Sequence, residues 1–230
     1  MIAAPSQLAF LLQSNLDQSV HLSSMKAIYS GGAFVSSELV NQMKAKLLNG
    51  DVYPMYGLSE TAGMLARNGL NAYKIDSVGK LLPGCYAKII DDDGRLCTSG
   101  EDGEIWVKTF YPFCGYYRNE EATKNTVDVN GWICTGDIGH FDENDLLHLV
   151  DRKKDIMKWM SYQISPSEIE NVILKHKGVA SVCVVAIPDS IATDLPAALI
   201  IKNNKCDVTE DEIMNLVKGK CFSNYIINKF

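Results

Sequence analysis

The sequence predicts an α/β plus β fold, with a parallel α/β layer, an antiparallel β-rich subdomain and a small α/β C-terminal domain. Three observations carry this expectation. Over the first fifty or so residues helix and strand patterns alternate, and a strand–helix–strand order packs as a parallel layer. From about Ser77 to Val150, short β-rich runs are broken by "DDDG" and "EDGE", which is the chemistry of hairpin turns. After Val150 the charged stretch "DRKKD" reads as a domain joint, and helix and strand patterns resume beyond it.

In chain order, "PSQLAFLLQS" has Ser6 as a candidate cap before an apolar stripe, and "MKAIYS" is a short strand. "SSELVNQMKAKLLNG" places Ser36 as an N-cap, Leu39, Met43 and Leu47 on one face, and Gly50 as a stop. "DVYPMYG" is the next strand. "GDIGHFDENDLLHLVDRKKD" reads as a hairpin from Asp137 to Phe141, a turn through Asp142 to Asp145, and a return from Leu146 to Val150. Pairing Phe141 with Leu146 sets Asp137 opposite Val150, with Arg152 beside it at the open end. In "SPSEIENVILKHKG", Ser165 and Glu168 have capping-box spacing, Pro166 takes the first helical position and Gly178 ends the helix. Ile169, Val172 and Ile173 then face the core. "VASVCVVAI" and "AALIIK" read as buried strands, and "TEDEIMNLV" starts a helix with Thr209 and Glu212 in capping-box spacing.

The chain has 230 residues, enough for one large or two small domains with a real core. Its net charge is −6 and it has no basic block, which argues against nucleic acid as a partner. No apolar run approaches the roughly 18 residues of a membrane span. No positive charge precedes Lys26, so a secretory leader is not expected. Seven scattered cysteines without a C-x-x-C pair read as reduced, buried thiols of an intracellular protein, not as a disulfide frame or zinc site. His21, His140, His148 and His176 form no metal motif. No obligate protein partner is evident.

The chemistry concentrates in three stretches. "YGLSETAG" follows a strand, at the sheet edge where open α/β folds bind ligands. Gly57 permits close backbone approach, Ser59 and Thr61 offer hydroxyls to phosphate oxygens, and Glu60 offers a carboxylate to magnesium, a hard cation. The same residues also suit a polar loop in which Ser59 or Thr61 caps the next element. "YSGGAF" puts Gly31, Gly32 and Ala33 at a neighbouring strand end, as a flat shelf for an aromatic base or as a simple turn. Asp137 and Arg152 suit a ribose diol, the carboxylate accepting and the guanidinium donating, or a surface ion pair.

Together and in order, "SGGAF", "YGLSET", "GEIWVK…GYY", "GWICTGDIG", "DRKKDIMKW" and "QISPSEIE" resemble the adenylate-forming superfamily of acyl-CoA synthetases, 4-coumarate–CoA ligases and firefly luciferases. The resemblance runs from about Pro5 to about Val217. It implies activation of a small carboxylic acid, fatty or aromatic, by ATP with Mg2+ to an acyl-adenylate, and transfer of the acyl group to coenzyme A. By resemblance Tyr56 and Gly57 border the adenylate, Ser59 meets the α-phosphate and Glu60 holds magnesium. Gly31, Gly32 and Ala33 lie against adenine, and Asp137 holds the ribose with Arg152 nearby. Lys158 is retained and joins Ser59 and Glu60 as the catalytic set. Residues 1–150 would be the end of the adenylation domain and 151–230 the small C-terminal domain, swinging about Asp151.

The resemblance also implies departures. The family's phosphate loop and most of its acyl pocket would lie upstream, and the match dissolves at "KGKCFSNYIINKF", before the family's late lysine. A fragment lacking the N-terminal half and extreme C-terminus is expected, with an incomplete small domain. On that expectation the chain alone shows no ATP–pyrophosphate exchange. The alternative to an active ligase is an inactive remnant that binds nucleotide or serves as an interaction surface. Its first strand would expose an edge near Ile28 and Val52 and promote aggregation. Met160 and Ser161 stand where the family often has lysine and glycine. Ser161 at positive φ would cost roughly 1–2 kcal/mol and crowd the path of coenzyme A. Phe34 replaces a common proline. Relatives are often peroxisomal through a C-terminal tripeptide. This chain ends "NKF", so peroxisome by resemblance, or cytoplasm, is expected.

Overall fold

The structure, a computed structural model, describes residues 1–14, 22–69, 74–160, 162–203, 206 and 208–218. His21, Ser161, the last cysteine and the "NKF" end lie outside the described residues. The chain divides into two compact units, Met1–Leu149 and Val150–Phe230.

The first unit begins with β1 (Ile2–Ala3), α1 (Pro5–Gln13), β2 (Ala27–Ser30), α2 (Ser37–Lys44) and β3 (Asp51–Leu58). β4 (Gly63–Arg67) and β5 (Lys80–Leu81) complete a sheet of order β1-β2-β3-β4-β5. The first three strands are parallel, with Ile2 beside Tyr29 and Ile28 beside Val52, and β4 and β5 run antiparallel. The expected strand–helix–strand layer is therefore present. Two expectations change. β2 is not an open edge, because β1 pairs with it, and Ile28 and Val52 are fully buried with Leu8, Val40 and Met43. Ser6 does not cap α1: Pro5 takes the first helical position, and the Ala4 N–H donates to Gln7 Oε1 at 2.9 Å. α2 starts as expected, with Ser36 Oγ accepting from the Leu39 N–H at 3.2 Å. It ends at Lys44 rather than at Gly50, because the Lys46 and Leu47 N–H groups tighten onto the Met43 and Lys44 carbonyls.

The rest of this unit is antiparallel, as expected. β6 (Cys85–Ile90), β7 (Gly103–Thr109), α3 (Glu120–Thr126), β8 (Ile133–Phe141) and β9 (Leu147–Arg152, whose last three residues belong to the second unit) follow, with sheet order β6-β7-β8-β9. The "DDDG" turn is closed by Asp91, whose carboxylate accepts from the Asp93 and Arg95 N–H groups. Gly103 of "EDGE" is required by space, since a Cβ there would sit 2.7 Å from the Ile90 carbonyl oxygen. The β8–β9 turn is closed by the Asp142 N–H donating to the Leu146 carbonyl at 2.9 Å. The Asp142 carboxylate accepts from the Asn144 and Leu146 N–H groups as well. Leu65, Ala66, Ile105, Val107 and Leu147 form the dry centre. α3 is absent from the sequence-based reading. Asn119 caps it, accepting from the Ala122 N–H, and none of its residues is buried.

The second unit holds β10 (Met157–Trp159), β11 (Tyr162–Ile164), α4 (Pro166–Ile173), β12 (Val179–Asp189), β13 (Thr193–Lys202) and α5 (Glu210–Lys218). Its antiparallel sheet has the order β11-β10-β13-β12. Ile169, Val172 and Ile173 face the core as expected, with Ile164, Val184, Ala198 and Ile213. Ser165 Oγ accepts from the Glu168 N–H and donates to Asp151 Oδ2 at 2.7 Å, and the same oxygen accepts from the Ser167 N–H at 3.0 Å. Asp151 thus caps α4 alongside Ser165. The helix stops at Ile173, short of Gly178, in a tight turn. Thr209 and Glu212 do form a reciprocal capping box. β12 and β13 are not buried strands. One face packs on α4 and α5, while Cys183, Leu199 and Ile201 on the other are exposed. Nor are all thiols buried: of the described cysteines, none of them in a disulfide, Cys114, Cys183 and Cys206 are exposed. No helix among the described residues is long and apolar enough to cross a membrane.

Candidate functional site

The end of β3 organises the site. Tyr56 points into the first unit and donates its hydroxyl to Asp137 Oδ2 at 2.6 Å, with both residues buried. Asp137 is aimed there by a bulge, in which Thr135–Asp137 on β8 face Ile105 alone on β7. The bulge is pinned by Thr135 Oγ1, which donates to the Ile105 carbonyl at 2.7 Å and accepts from the Asp137 N–H at 3.0 Å. Gly136 supplies the positive φ, +70°, that the turn requires. Two stretches that the sequence separates by 81 positions therefore meet.

Gly31 ends β2 against β3, where a Cβ would sit 2.6 Å from the Met55 carbonyl oxygen. Beyond it Gly32, at φ +85° with open space around it, and Ala33 are exposed, as is Phe34. This gives a small exposed platform beside the Tyr56 strand end. Gly57 is needed for a different reason from the expected one. A Cβ there would sit 2.2 Å from the Gly63 carbonyl oxygen, so the close approach is by the β4 backbone and not by a ligand.

Ser59, Glu60 and Thr61 form one 3-10 turn, closed by the Ala62 N–H on the Ser59 carbonyl at 3.1 Å. Ser59 is exposed. Thr61 is buried, and its hydroxyl is shared among the Leu58 carbonyl, the Gly63 carbonyl and the Leu58 N–H. The sequence offered Ser59 and Thr61 equally to phosphate; only Ser59 is placed to serve a ligand. Glu60 is half-buried, and its Oε1 accepts from the Tyr116 hydroxyl at 2.5 Å. That hydrogen bond, and then burial, pushes the Tyr116 phenol above its ordinary pKa. Tyr116 carried no assigned role in the sequence, although "GYY" marked its position. Glu60 presents a hard oxygen donor at a partly open turn, which suits a magnesium ion.

Arg152 and Lys158 belong to the second unit. The Arg152 N–H donates to Asp151 Oδ1, and Lys158, on β10, pairs with Gln163 while its N–H donates to Asp194 Oδ2 at 2.8 Å. Both side chains are exposed. Met160 adopts φ +51° and donates its N–H to the Ala192 carbonyl at 2.7 Å, so left-handed backbone occurs one residue before Ser161.

Residues 1–117 match the family model described as AMP-binding enzyme, and residues 168–228 match the AMP-binding enzyme C-terminal domain. The chain belongs to the AMP-binding enzyme family. This family is that of the adenylate-forming enzymes, and the chain is similar to luciferin 4-monooxygenase from Nipponoluciola cruciata, 35% identical over 221 residues, 96% of this chain and 40% of the relative. The 4-coumarate–CoA ligase-like 9 of Arabidopsis thaliana is 32% identical over 94% of this chain and 39% of its own length. The crystal structure of ATP-bound MatB from Rhodopseudomonas palustris superposes with a TM-score of 0.86 at 27% identity, over 98% of this chain and 45% of that one. The chain thus spans about 40% of the length of the curated AMP-binding enzymes it matches.

Proposed function

We propose that this chain carries the nucleotide-holding part of a carboxylic-acid adenylation site. The observation that carries the reading is the Tyr56–Asp137 hydrogen bond, which joins the two motifs that would border the adenylate. In the full-length relative, a carboxylate oxygen attacks the α-phosphorus of ATP, pyrophosphate leaves with its bonding pair, and a mixed acyl-phosphate anhydride forms. The thiolate of coenzyme A then displaces AMP to give the thioester. The substrate class is a fatty or aromatic acid.

Each residue has a physical task in this reading. Asp137, oriented by Tyr56, accepts from the ribose hydroxyls. Gly31, Gly32 and Ala33 form the platform for the adenine ring. Ser59 donates to a phosphate oxygen at the tip of its turn, and Glu60 holds a magnesium ion by a carboxylate oxygen. When bound, magnesium would neutralise phosphate charge. Arg152 suits a ribose hydroxyl and Lys158 a phosphate oxygen, as exposed cationic donors of the C-terminal domain, 151–230. In this reading residues 1–150 and 151–230 join at Asp151.

A second reading rests on the same Tyr56–Asp137 geometry: a module that binds nucleotide without turnover. Equilibrium dialysis with AMP tests the shared core of both. Saturable binding that Asp137→Ala weakens at least tenfold is the expected result; binding indifferent to Asp137→Ala would remove the assignment. Adding an acid, ATP and coenzyme A then separates turnover from binding alone.

A further inference from the structure

α3 raises a question that packing does not answer. It is a seven-residue helix with no buried residue, so it contributes nothing to the core. Its Thr123 hydroxyl nonetheless serves the Tyr116 loop as well as the cap, donating to the Asn119 carbonyl at 2.8 Å. Thr123 Oγ1 accepts from the Tyr116 N–H at 2.9 Å, and its side chain leaves room only for glycine at position 115, where a Cβ would sit 2.9 Å from Thr123 Cγ2. Asn119, the cap of α3, donates its N–H to the Tyr116 carbonyl at 3.2 Å. Phe113 closes on the Tyr116 ring edge-to-face, with centroids 5.1 Å apart. These contacts hold the Tyr116 backbone and one edge of its partly exposed ring, and the ring delivers its hydroxyl to Glu60.

We propose that Tyr116 is a positioning residue for Glu60, set on the α3 loop to hold the metal-binding carboxylate in one rotamer. The proposal rests on the adenylation reading through the role given to Glu60. A free glutamate side chain at a surface turn samples many rotamers, and ordering it costs about 1.5–2 kcal/mol. A charge-assisted O–H···O bond orders one carboxylate oxygen before any ligand arrives. Partners of this outer kind typically tune metal affinity by about 10–100-fold without touching the ion.

The experiment measures Mn2+ binding to the 230-residue chain by electron paramagnetic resonance, with AMP present, for wild type, Tyr116→Phe, Glu60→Gln and the double variant. AMP affinity without metal is measured in parallel. The expected result is about tenfold weaker Mn2+ binding for Tyr116→Phe, unchanged metal-free AMP affinity, a larger loss for Glu60→Gln and no further loss in the double. Tyrosine labelled with 13C at the phenol carbon gives a second readout: the Tyr116 signal should shift in Glu60→Gln at fixed pH as the bond to Glu60 is altered, and the same spectra confirm folding. If Glu60→Gln weakens Mn2+ binding and Tyr116→Phe does not, the positioning role is wrong and the adenylation reading stands. If neither matters, Glu60 is not the metal ligand and both fall. A fall in metal-free AMP affinity matching the metal effect would mark Tyr116 as structural only and overturn the proposal. Thr123→Val, which keeps the hydroxyl of Tyr116 but loosens its support, should give a smaller loss in the same direction.

Discussion

Replacing Tyr56 by phenylalanine removes one oxygen and leaves the ring. The hydroxyl that is lost donates at 2.6 Å to a buried carboxylate, and both residues are less than one-tenth exposed. A hydrogen bond to a charged group contributes about 1.5–3 kcal/mol, and burial limits replacement by water. Asp137 and Tyr56 each have further interactions, so neither single variant isolates the bond. A double-mutant cycle of Tyr56→Phe, Asp137→Ala and both does isolate it. Urea unfolding would be followed through Trp106 and Trp132, with Trp159 replaced by phenylalanine so that only the first unit reports. The expected coupling is about 1.5–2 kcal/mol. A coupling below about 0.5 kcal/mol, the error of additivity between independent sites, would show that the bond does not hold these motifs together.

The second unit offers a prediction of the opposite sign. Thr193 is β-branched yet adopts φ +71°, where an L-residue loses about 1–2 kcal/mol, so Thr193→Gly should stabilise by about 1 kcal/mol in thermal unfolding. Glu170 is held above the usual carboxylate range, first by burial and also by Asp151, against the Val184 N–H that it accepts. Its raised value means that its contribution to stability is full at acid pH and is lost as pH rises through the folded-state value. Glu170→Gln should therefore slow exchange of the Val184 amide at neutral pH and flatten its pH dependence; unchanged exchange would refute this. Asp142 is pushed up by burial, but the N–H groups of Leu146 and Asn144, then His148 and Lys74, outweigh burial and hold its carboxyl well below the usual range. Its contribution is present above the ordinary aspartate value and is lost only as pH falls through the lower folded one. Asp142→Asn should cost about 1–2 kcal/mol at neutral pH, with the difference from wild type shrinking in strong acid.

Local chemistry was the legible part of this fold. Ser36, Ser165 and Thr209 cap the helices where their spacing said they would, because a cap needs only a side chain and an N–H three residues away. The strand–turn "YGLSET" was legible for the same reason. Long-range commitments were not. Nothing near Thr61 says that its hydroxyl serves the loop while Ser59 stays open. Nothing near Gly57 says that β4 returns against it. The Glu60–Tyr116 bond spans 56 positions, so only the unexplained "GYY" hinted at it. β12 misled for another reason: an apolar run looks the same whether one or both faces are covered, and here only one is. The helix ends were overrun because tight turns after Lys44 and Ile173 keep apolar spacing without helical pairing.

The most direct measurement is a 1H–15N spectrum of the chain titrated with 5′-O-sulfamoyladenosine, a stable mimic of the adenylate without an acyl group, with and without Mg2+. The account predicts saturable shifts at Gly31, Gly32, Tyr56 and Asp137 in both conditions, and at Ser59 and Glu60 chiefly when Mg2+ is present. Shifts confined to other parts of the chain, or none at saturating ligand, would contradict the claim that this chain carries the nucleotide-holding side of an adenylation site.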